Sequence, residues 1–260
     1  MPKQPNTPNP KPSSKVAANS GGGKNQRQHT YKQFDQELFD IRSQVLKLGG
    51  LAEEQIELAV KSLLDNDVVL AEQVIRDDRQ VNSLEVSIQD QCTQILARRQ
   101  PAASDLRLIV AVIKAISDLE RIGDDAKRIA RSTLGAAAHY SNKTRLNPLD
   151  PFATHVRLLL KGSLDAFARI DAEAALRVRQ SDRQIDREYE DIMQGQIANM
   201  MADGRAIPAA LHLLWSAKAL ERIGDRACNI CEYVIYYAKG KDIRHMSLEQ
   251  ATKDLNERSD

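Results

Sequence analysis

A six-residue phrase, Leu-Glu-Arg-Ile-Gly-Asp, occurs twice in this chain of 260 residues, at 119–124 and again at 220–225. The two copies are separated by 101 positions (120 to 221). An identical phrase at so large a separation indicates a duplicated unit, so the fold must be built from two similar halves. Each copy places a glutamate four residues before an aspartate, and on a helix this spacing stacks the two carboxylates on one face. Like charges in that arrangement repel, so each copy is expected to lie beside a compensating group.

Helix-favouring residues dominate the chain, whereas aromatic residues make up only 4% of it. Apolar residues recur with a helical period from Tyr31 onward. Asp67 and Asp171 are suited to cap the N-termini of the middle helices. The sequence therefore predicts an all-α protein made of two tandem, homologous, antiparallel three-helix bundles. The predicted helices cover 31–64, 68–98 and 104–133 in the first half, and 151–169, 172–202 and 207–239 in the second.

The predicted domain boundaries follow the composition of the chain. Residues 1–30 contain five prolines and few apolar residues, which predicts a disordered leader. The first bundle is expected to span 31–140 and the second 141–246, with a polar C-terminal tail over 247–260. The net charge of +1 gives no bulk attraction to nucleic acid or membrane. No stretch of sequence approaches the roughly 18 consecutive apolar residues of a membrane span.

Hairpin geometry brings further polar side chains to the repeated carboxylates. Two antiparallel helices joined by a short turn place residues that are equidistant from the turn side by side. Asp78 and Asp124 are equidistant from position 101, and so are Asn82 and Glu120. The corresponding residues of the second half are equidistant from a turn near position 203. The sequence thus predicts a first set, comprising Asp78, Asn82, Glu120 and Asp124, and a second set, comprising Asp182, Asp186, Glu221 and Asp225.

Both sets are candidates for binding metal. Clustered carboxylates that are partly removed from water are costly unless a cation neutralises them. Ligand sets made only of oxygen suit hard or borderline cations, so we predict a divalent or ferric ion: magnesium, manganese or iron, with zinc retained as a candidate. Asn82 makes the first set less acidic than the second, so the second set should hold metal more firmly.

An alternative without metal remains open for the first set. Asp124 and Asp125 could instead form ordinary surface ion pairs with nearby basic side chains, namely Arg121, Lys127 and Arg128. In the second copy, the residues three and four positions after the repeated aspartate are Cys228 and Asn229, and neither is basic. Because the acids recur and these basic neighbours do not, the repeat favours metal binding.

Three features together give a resemblance to a known family. They are the doubled phrase, the segment Ser104-Asp-Leu-Arg107 that opens the third predicted helix, and the segment Gly240–His245 that follows the last one. On these motifs the chain resembles the PhoU family of bacterial phosphate-signalling regulators over approximately residues 31–246.

The resemblance implies two similar three-helix bundles with metal clusters at the repeated motifs, a homodimer, and a regulatory role without catalysis. In that family the protein links a high-affinity phosphate ABC transporter to a sensor histidine kinase, and represses the phosphate-starvation response when phosphate is plentiful. The partners implied are the kinase and the ATPase subunit of the transporter. The implied location is cytoplasmic, with membrane association only through these partners and without direct contact with nucleic acid.

Two other functions stay open at this point. A carboxylate-bridged metal enzyme is disfavoured because neither set contains a histidine and no nucleophile motif is recognisable. A plain helical interaction scaffold is disfavoured because the acidic sets are duplicated.

Overall fold

The computed structural model describes residues 22–136, 148–244 and 246–256. Throughout these ranges the regular structure is helical, which confirms the predicted all-α fold. The first half contains α1 (Gly22–Asp65), α2 (Val68–Arg99) and α3 (Ala103–Ala136). The second half contains α4 (Leu149–Arg169), α5 (Ala172–Gln180), α6 (Asp182–Ala202) and α7 (Ile207–Lys239), and α8 (Leu248–Asn256) follows.

The predicted N-caps of the middle helices are confirmed. Asp67 accepts a hydrogen bond from the backbone N–H of Leu70 at 2.9 Å. Asp171 accepts the corresponding bond from the N–H of Ala174 at 2.8 Å. Each cap satisfies an N–H group that the first helical turn leaves unpaired, and an N-cap of this kind contributes about 1 kcal/mol. The matching caps show that the duplication extends to the local chemistry of the helix ends.

The helix predicted over 172–202 is interrupted. The Ser181 N–H bonds the carbonyl of Val178, three residues earlier, and this tightened turn separates α5 from α6. As a result Asp182 stands in the first turn of α6. The interruption therefore lies directly beside one residue of the second set.

Both ends of the chain differ from the predicted boundaries. α1 begins at Gly22, before the expected start at Tyr31, and the rest of the predicted leader lies outside the described residues. Within the predicted polar tail, Ser247 and Gln250 form reciprocal hydrogen bonds of 3.2 and 3.0 Å between side chain and backbone. This capping box starts α8. Most of the predicted linker between the bundles, 137–147, lies outside the described residues.

The two helices that carry the repeated phrase form the centre of the molecule. α3 packs against α2 and α7, and α7 also packs against α4, α5 and α6. Ile116 and Leu119 of α3 and Leu220 and Ile223 of α7 are completely buried. Burial of each such side chain contributes roughly 1.5–3 kcal/mol. The carboxylates on these helices are therefore held by the helices that pack against the most neighbours.

From Glu37 onward α1 contacts both halves. Ser62 hydrogen-bonds Thr133 of α3 at 3.0 Å, and the Arg42 guanidinium donates to the Ala168 carbonyl of α4 at 2.8 Å. A Cβ at Gly49 would stand 2.6 Å from the methyl carbons of Leu164, so the α1 backbone packs closely against the Leu164 side chain of α4 there.

Candidate metal centre

The first hairpin brings the four residues of the first set to one level. α2 supplies Asp78 and Asn82, and α3 supplies Glu120 and Asp124. Asp78 and Asp124 are close enough for the ammonium of Lys127 to bridge them. The Asn82 amide lies 3.5 Å from Asp78 Oδ2. The equidistance of these residues from position 101 therefore predicts their proximity.

Lys127 takes the position between the first-set carboxylates that a metal ion would need. Its Nζ lies 2.5 Å from Asp78 Oδ2 and 2.7 Å from Asp124 Oδ1, and only 17% of its side chain is exposed. Burial alone would lower the pKa of Lys127, but the hydrogen bonds to Asp124 and Asp78 raise it on balance. The amine offsets part of the negative charge of the two carboxylates that it bridges and fills the space between them. In this geometry the first set does not fit a metal ion, because Lys127 already holds the oxygens of Asp78 and Asp124 that would bind it.

The remaining first-set groups are partly unpaired. Asp78 Oδ1 and Asn82 Oδ1 are buried and have no hydrogen-bond partner among the described residues. Burial raises the pKa of Glu120, with further contributions from Asp124, Glu85 and Asp78.

Gly123 permits the close approach of α3 to its neighbours. A Cβ at this position would lie 2.8 Å from Gln55 Oε1, 3.2 Å from Val81 Cγ1 and 3.4 Å from Asp78 Oδ1. A side chain would therefore crowd Gln55 and Val81, while it would only touch Asp78 at ordinary contact distance. Its counterpart, Gly224, is similarly tight, since a Cβ there would lie 3.1 Å from Ile185 Cγ2.

The second hairpin brings carboxylates together without a bridging amine. One oxygen from each of Asp186, Glu221 and Asp225 lies within 4.8 Å of the others. Asp182, one turn before Asp186, has a buried Oδ1 with no hydrogen-bond partner in the described part of the chain. The residue at the position of Lys127 is Cys228, a buried free thiol. The second set thus offers three convergent carboxylates, with Asp182 beside them, at the level where the first set holds an ammonium.

The electrostatics of the second set favour a bound cation. Burial, together with repulsion from Glu221, Asp182 and Asp186, raises the pKa of Asp225 to about 6. Burial also raises the pKa of Asp182, although a hydrogen bond from Cys228 opposes the shift. The nearest amine, Lys218, contacts Glu221 at 2.7 Å. Because a single amine leaves most of the negative charge uncompensated, the second set fits an oxygen-coordinated hard cation.

One buried ion pair joins the two copies of the phrase directly. The residue after the first copy is Asp125, which is completely buried, and the residue after the second copy is Arg226. The Arg226 guanidinium donates to Asp125 Oδ2, while Arg128 donates to Oδ1 at 2.7 Å. The predicted alternative pairing of Arg128 with Asp125 is therefore present. The Arg226 contact was not predicted, although opposite charges at equivalent repeat positions were a visible signal for it.

Comparison with known proteins agrees with the duplication. A family model described as the PhoU domain matches residues 45–133 and again residues 149–234. A protein of Serratia marcescens named phosphate-specific transport system accessory protein PhoU is 46% identical over 231 residues, which cover 89% of this chain and 95% of that protein. None of the described helices combines the length and apolarity that crossing a lipid bilayer requires.

Two solved structures resemble the fold closely. The crystal structure of PhoU from Pseudomonas aeruginosa has a TM-score of 0.75 at 44% identity, and the match covers 80% of this chain and all of that one. The phosphate transport system regulatory protein PhoU from Streptococcus pneumoniae has a TM-score of 0.74 at 31% identity, with 80% and 98% covered.

Proposed function

Because this chain belongs to the PhoU family, we propose that it is a non-catalytic accessory regulator of a phosphate-specific transport system. The names of its relatives, which describe accessory and regulatory proteins, support this role. The observation that carries the proposal is the match of the family model to both halves, over 45–133 and 149–234. The match includes both copies of the repeated phrase.

The finer part of the proposal concerns partners. In this proposal the protein works in the cytoplasm as a homodimer and couples the ATPase subunit of a phosphate ABC transporter to a sensor histidine kinase. When phosphate is plentiful it represses the phosphate-starvation response. This part rests on the family resemblance of the doubled phrase and the flanking motifs.

The second set is proposed to bind a divalent or ferric ion. Asp186 of α6 and Glu221 and Asp225 of α7 supply the convergent oxygens, with Asp182 beside them. Such an ion supplies positive charge between α6 and α7 when it is bound. The carboxylates hold the two helices in register around that charge, so the role that fits them is structural or regulatory rather than catalytic.

A gene-deletion experiment tests the regulatory role. Deletion should raise the expression of a phosphate-starvation reporter in phosphate-rich medium, and a plasmid copy of the gene should restore repression. Unchanged reporter expression after deletion would contradict the role. Because this readout needs no metal measurement, it separates the regulatory proposal from the metal proposal.

Elemental analysis tests the metal proposal. Purified protein reconstituted separately with iron, manganese, magnesium and zinc should retain at least one of these ions after gel filtration. Glu221→Ala should remove it, with or without Glu120→Ala, because the proposed site is the second set. Wild-type protein that retains none of them after reconstitution would refute metal binding.

A further inference from the structure

An open basic cleft lies between α3 and α7, outside both acidic sets. Its volume is about 430 Å³, within the roughly 300–1,000 Å³ typical of sites for small ligands. The charged side chains that line it are all basic or imidazole groups, and its lining includes no carboxylate. The lining residues used below are Arg128 and Arg131 of α3 and His212, Trp215 and Arg222 of α7.

The floor of the cleft has an excess of positive charge. Asp125, buried beneath it, accepts from Arg128 at 2.7 Å and lies 3.7 Å from the Arg222 guanidinium. The Arg226 guanidinium donates to the same carboxylate, and the Arg226 side chain is 13% exposed. Asp125 therefore contacts three guanidinium groups, and Asp118 lies close enough to Arg226 to interact with it. Arg128 and Arg222, which line the cleft, consequently share one carboxylate and carry an excess positive charge. The shared anchor also orders the arginines before any ligand arrives, which reduces the entropy lost on binding.

Arg131 adds a further charge at the cleft wall. It is exposed, and in the described part of the chain no hydrogen bond or ion pair is found for it. A guanidinium group presents paired N–H donors that match the oxygens of a phosphate group. The excess positive charge at the floor of the cleft and the free N–H donors of Arg131 together suit an anion with more than one negative charge.

Trp215 forms an aromatic wall that its neighbours hold in place. The ring is 58% exposed, although large aromatic side chains are usually covered in folded proteins. The His212 ring meets it edge-on, with the ring centroids 5.1 Å apart. The His212 ring in turn lies against Gly135, where a Cβ would stand only 2.4 Å from it. Trp215 is thus braced on one side and open on the cleft side, where a planar group can stack.

The basic character of the cleft is not a by-product of the duplication. Shifted by 101 positions, Arg128 corresponds to Asn229 and Arg131 to Glu232, while Trp215 corresponds to Lys114. The equivalent surface of the other half therefore keeps the counterpart of Arg222, which is Arg121, but lacks counterparts of Arg128, Arg131 and Trp215. The combination of three arginines and a tryptophan is a feature of one face of the α3–α7 pair.

We propose that the cleft formed by Arg128, Arg131, Arg222 and Trp215 binds a small anion that carries a diphosphate group. The diphosphate bridges Arg131 and the arginines anchored on Asp125. Its source is either inorganic pyrophosphate or a nucleoside diphosphate, and in the second case the base stacks on Trp215. This site is separate from the second set, so its occupancy does not depend on the proposed metal.

Intrinsic fluorescence is a direct probe, because Trp215 is the only tryptophan in the chain. Titration of the full chain with pyrophosphate or with ADP, at low ionic strength, should change this fluorescence saturably. Calorimetry should give the same affinity and show it weakening as salt increases. Calorimetry also applies to Trp215→Ala, which has no tryptophan fluorescence. If wild type binds ADP more tightly than pyrophosphate, and Trp215→Ala loses that advantage but still binds pyrophosphate, the ligand is the nucleotide. Equal binding of both would identify the diphosphate alone.

Matched variants decide whether the cleft is responsible. Arg131→Ala should weaken binding about tenfold or more, since it removes charge-assisted hydrogen bonds. Arg121→Ala removes an exposed arginine at the repeat position equivalent to Arg222, outside the cleft, and should leave affinity unchanged. Asp186→Asn, in the second set, should also leave it unchanged. The proposal is overturned if neither ligand binds folded wild-type protein at millimolar concentration, or if Arg131→Ala and Arg121→Ala weaken binding equally.

Discussion

Asp125 and Arg226 occupy the same position in the two copies of the repeat, and their side chains pair across the α3–α7 interface. The repeated phrase is identical up to this residue and then diverges to opposite charges. Two copies with the same charge here would repel each other. The divergence therefore converts an internal duplication into two halves that are complementary to each other.

We expect Asp125→Asn to be strongly destabilising. The substitution removes a completely buried carboxylate that contacts three neighbouring guanidinium groups. Loss of one member of a buried ion pair typically costs about 3–5 kcal/mol. Urea denaturation measures the effect. As a control, Arg76→Ala breaks an exposed pair with Glu72 and should change stability by less than about 1 kcal/mol; an equally small effect of Asp125→Asn would contradict the importance of the buried pair.

Substitutions at equivalent repeat positions should affect metal binding differently. Asp225→Asn removes a carboxylate from the second set, and we expect it to weaken metal binding at least tenfold. Asp124→Asn is the matched change in the first set, where Lys127 supplies the counter-charge, and should leave metal content unchanged. Calorimetric titration with Mn²⁺ compares the two variants. Equal losses in both would show that the first set also binds metal.

Lys127→Cys reproduces in the first set the residue found at the equivalent position, Cys228. Loss of the ammonium leaves Asp78 and Asp124 without their bridging donor, so the metal-free variant should be less stable than wild type. It should also gain capacity for metal, because the carboxylates become available. Elemental analysis after reconstitution measures the gain, and unchanged capacity in a folded variant would count against Lys127 as the internal substitute for a cation.

The metal-free protein should lose stability as pH rises from about 4 to about 6. The pKa of Asp225 is raised from 3.8 to about 6 in the folded state, so the folded protein binds the proton more tightly than the unfolded chain does. The free energy of unfolding therefore falls across this interval. Because Asp225 keeps an exposed edge, the contribution is about 1–2 kcal/mol rather than the full shift.

Asp225→Asn provides the check on this pH dependence. At pH 7, in the presence of a chelator, the unfolding free energy of the variant should exceed that of wild type by about 1–2 kcal/mol. Its unfolding free energy should also vary less between pH 4 and pH 6. Denaturant titrations at several pH values measure both effects, and a metal-free wild type that gains stability over this range would refute the assignment.

Alanine substitutions of two helical glycines should have opposite effects. Gly50→Ala meets nothing within 4 Å, so the gain in helix propensity should stabilise the protein by about 0.5–1 kcal/mol. Gly123→Ala would place a Cβ 2.8 Å from Gln55 Oε1 and 3.2 Å from Val81. Despite the same gain in helix propensity, this overpacking should lower the stability of the protein by about 1–2 kcal/mol. Thermal denaturation of the two variants compares them directly, and stabilisation by both would refute the close contact at Gly123.

Several features follow from local sequence. The N-caps Asp67 and Asp171 are predictable because a cap depends on a few neighbouring residues. The proximity of Asp78 to Asp124 is predictable because helix periodicity and turn position set the register of a hairpin. The capping box at Ser247 was also readable in the sequence, although the tail was predicted only as polar.

By itself, the sequence determined the duplication and the principal helical segments apart from the break at Ser181, because these follow from periodicity and short-range spacing. The same spacing predicted the two acidic sets. Only the tertiary structure decided which cation serves the first set, since that depends on whether the Lys127 side chain turns toward Asp78 or toward solvent. It also decided that α3 and α7 pair through Asp125 and Arg226 and so form the basic cleft beside Trp215. These relationships join residues 49 positions apart for Lys127 and Asp78 and 101 positions apart for Asp125 and Arg226. Packing between helices, rather than pattern within one helix, brings them into contact.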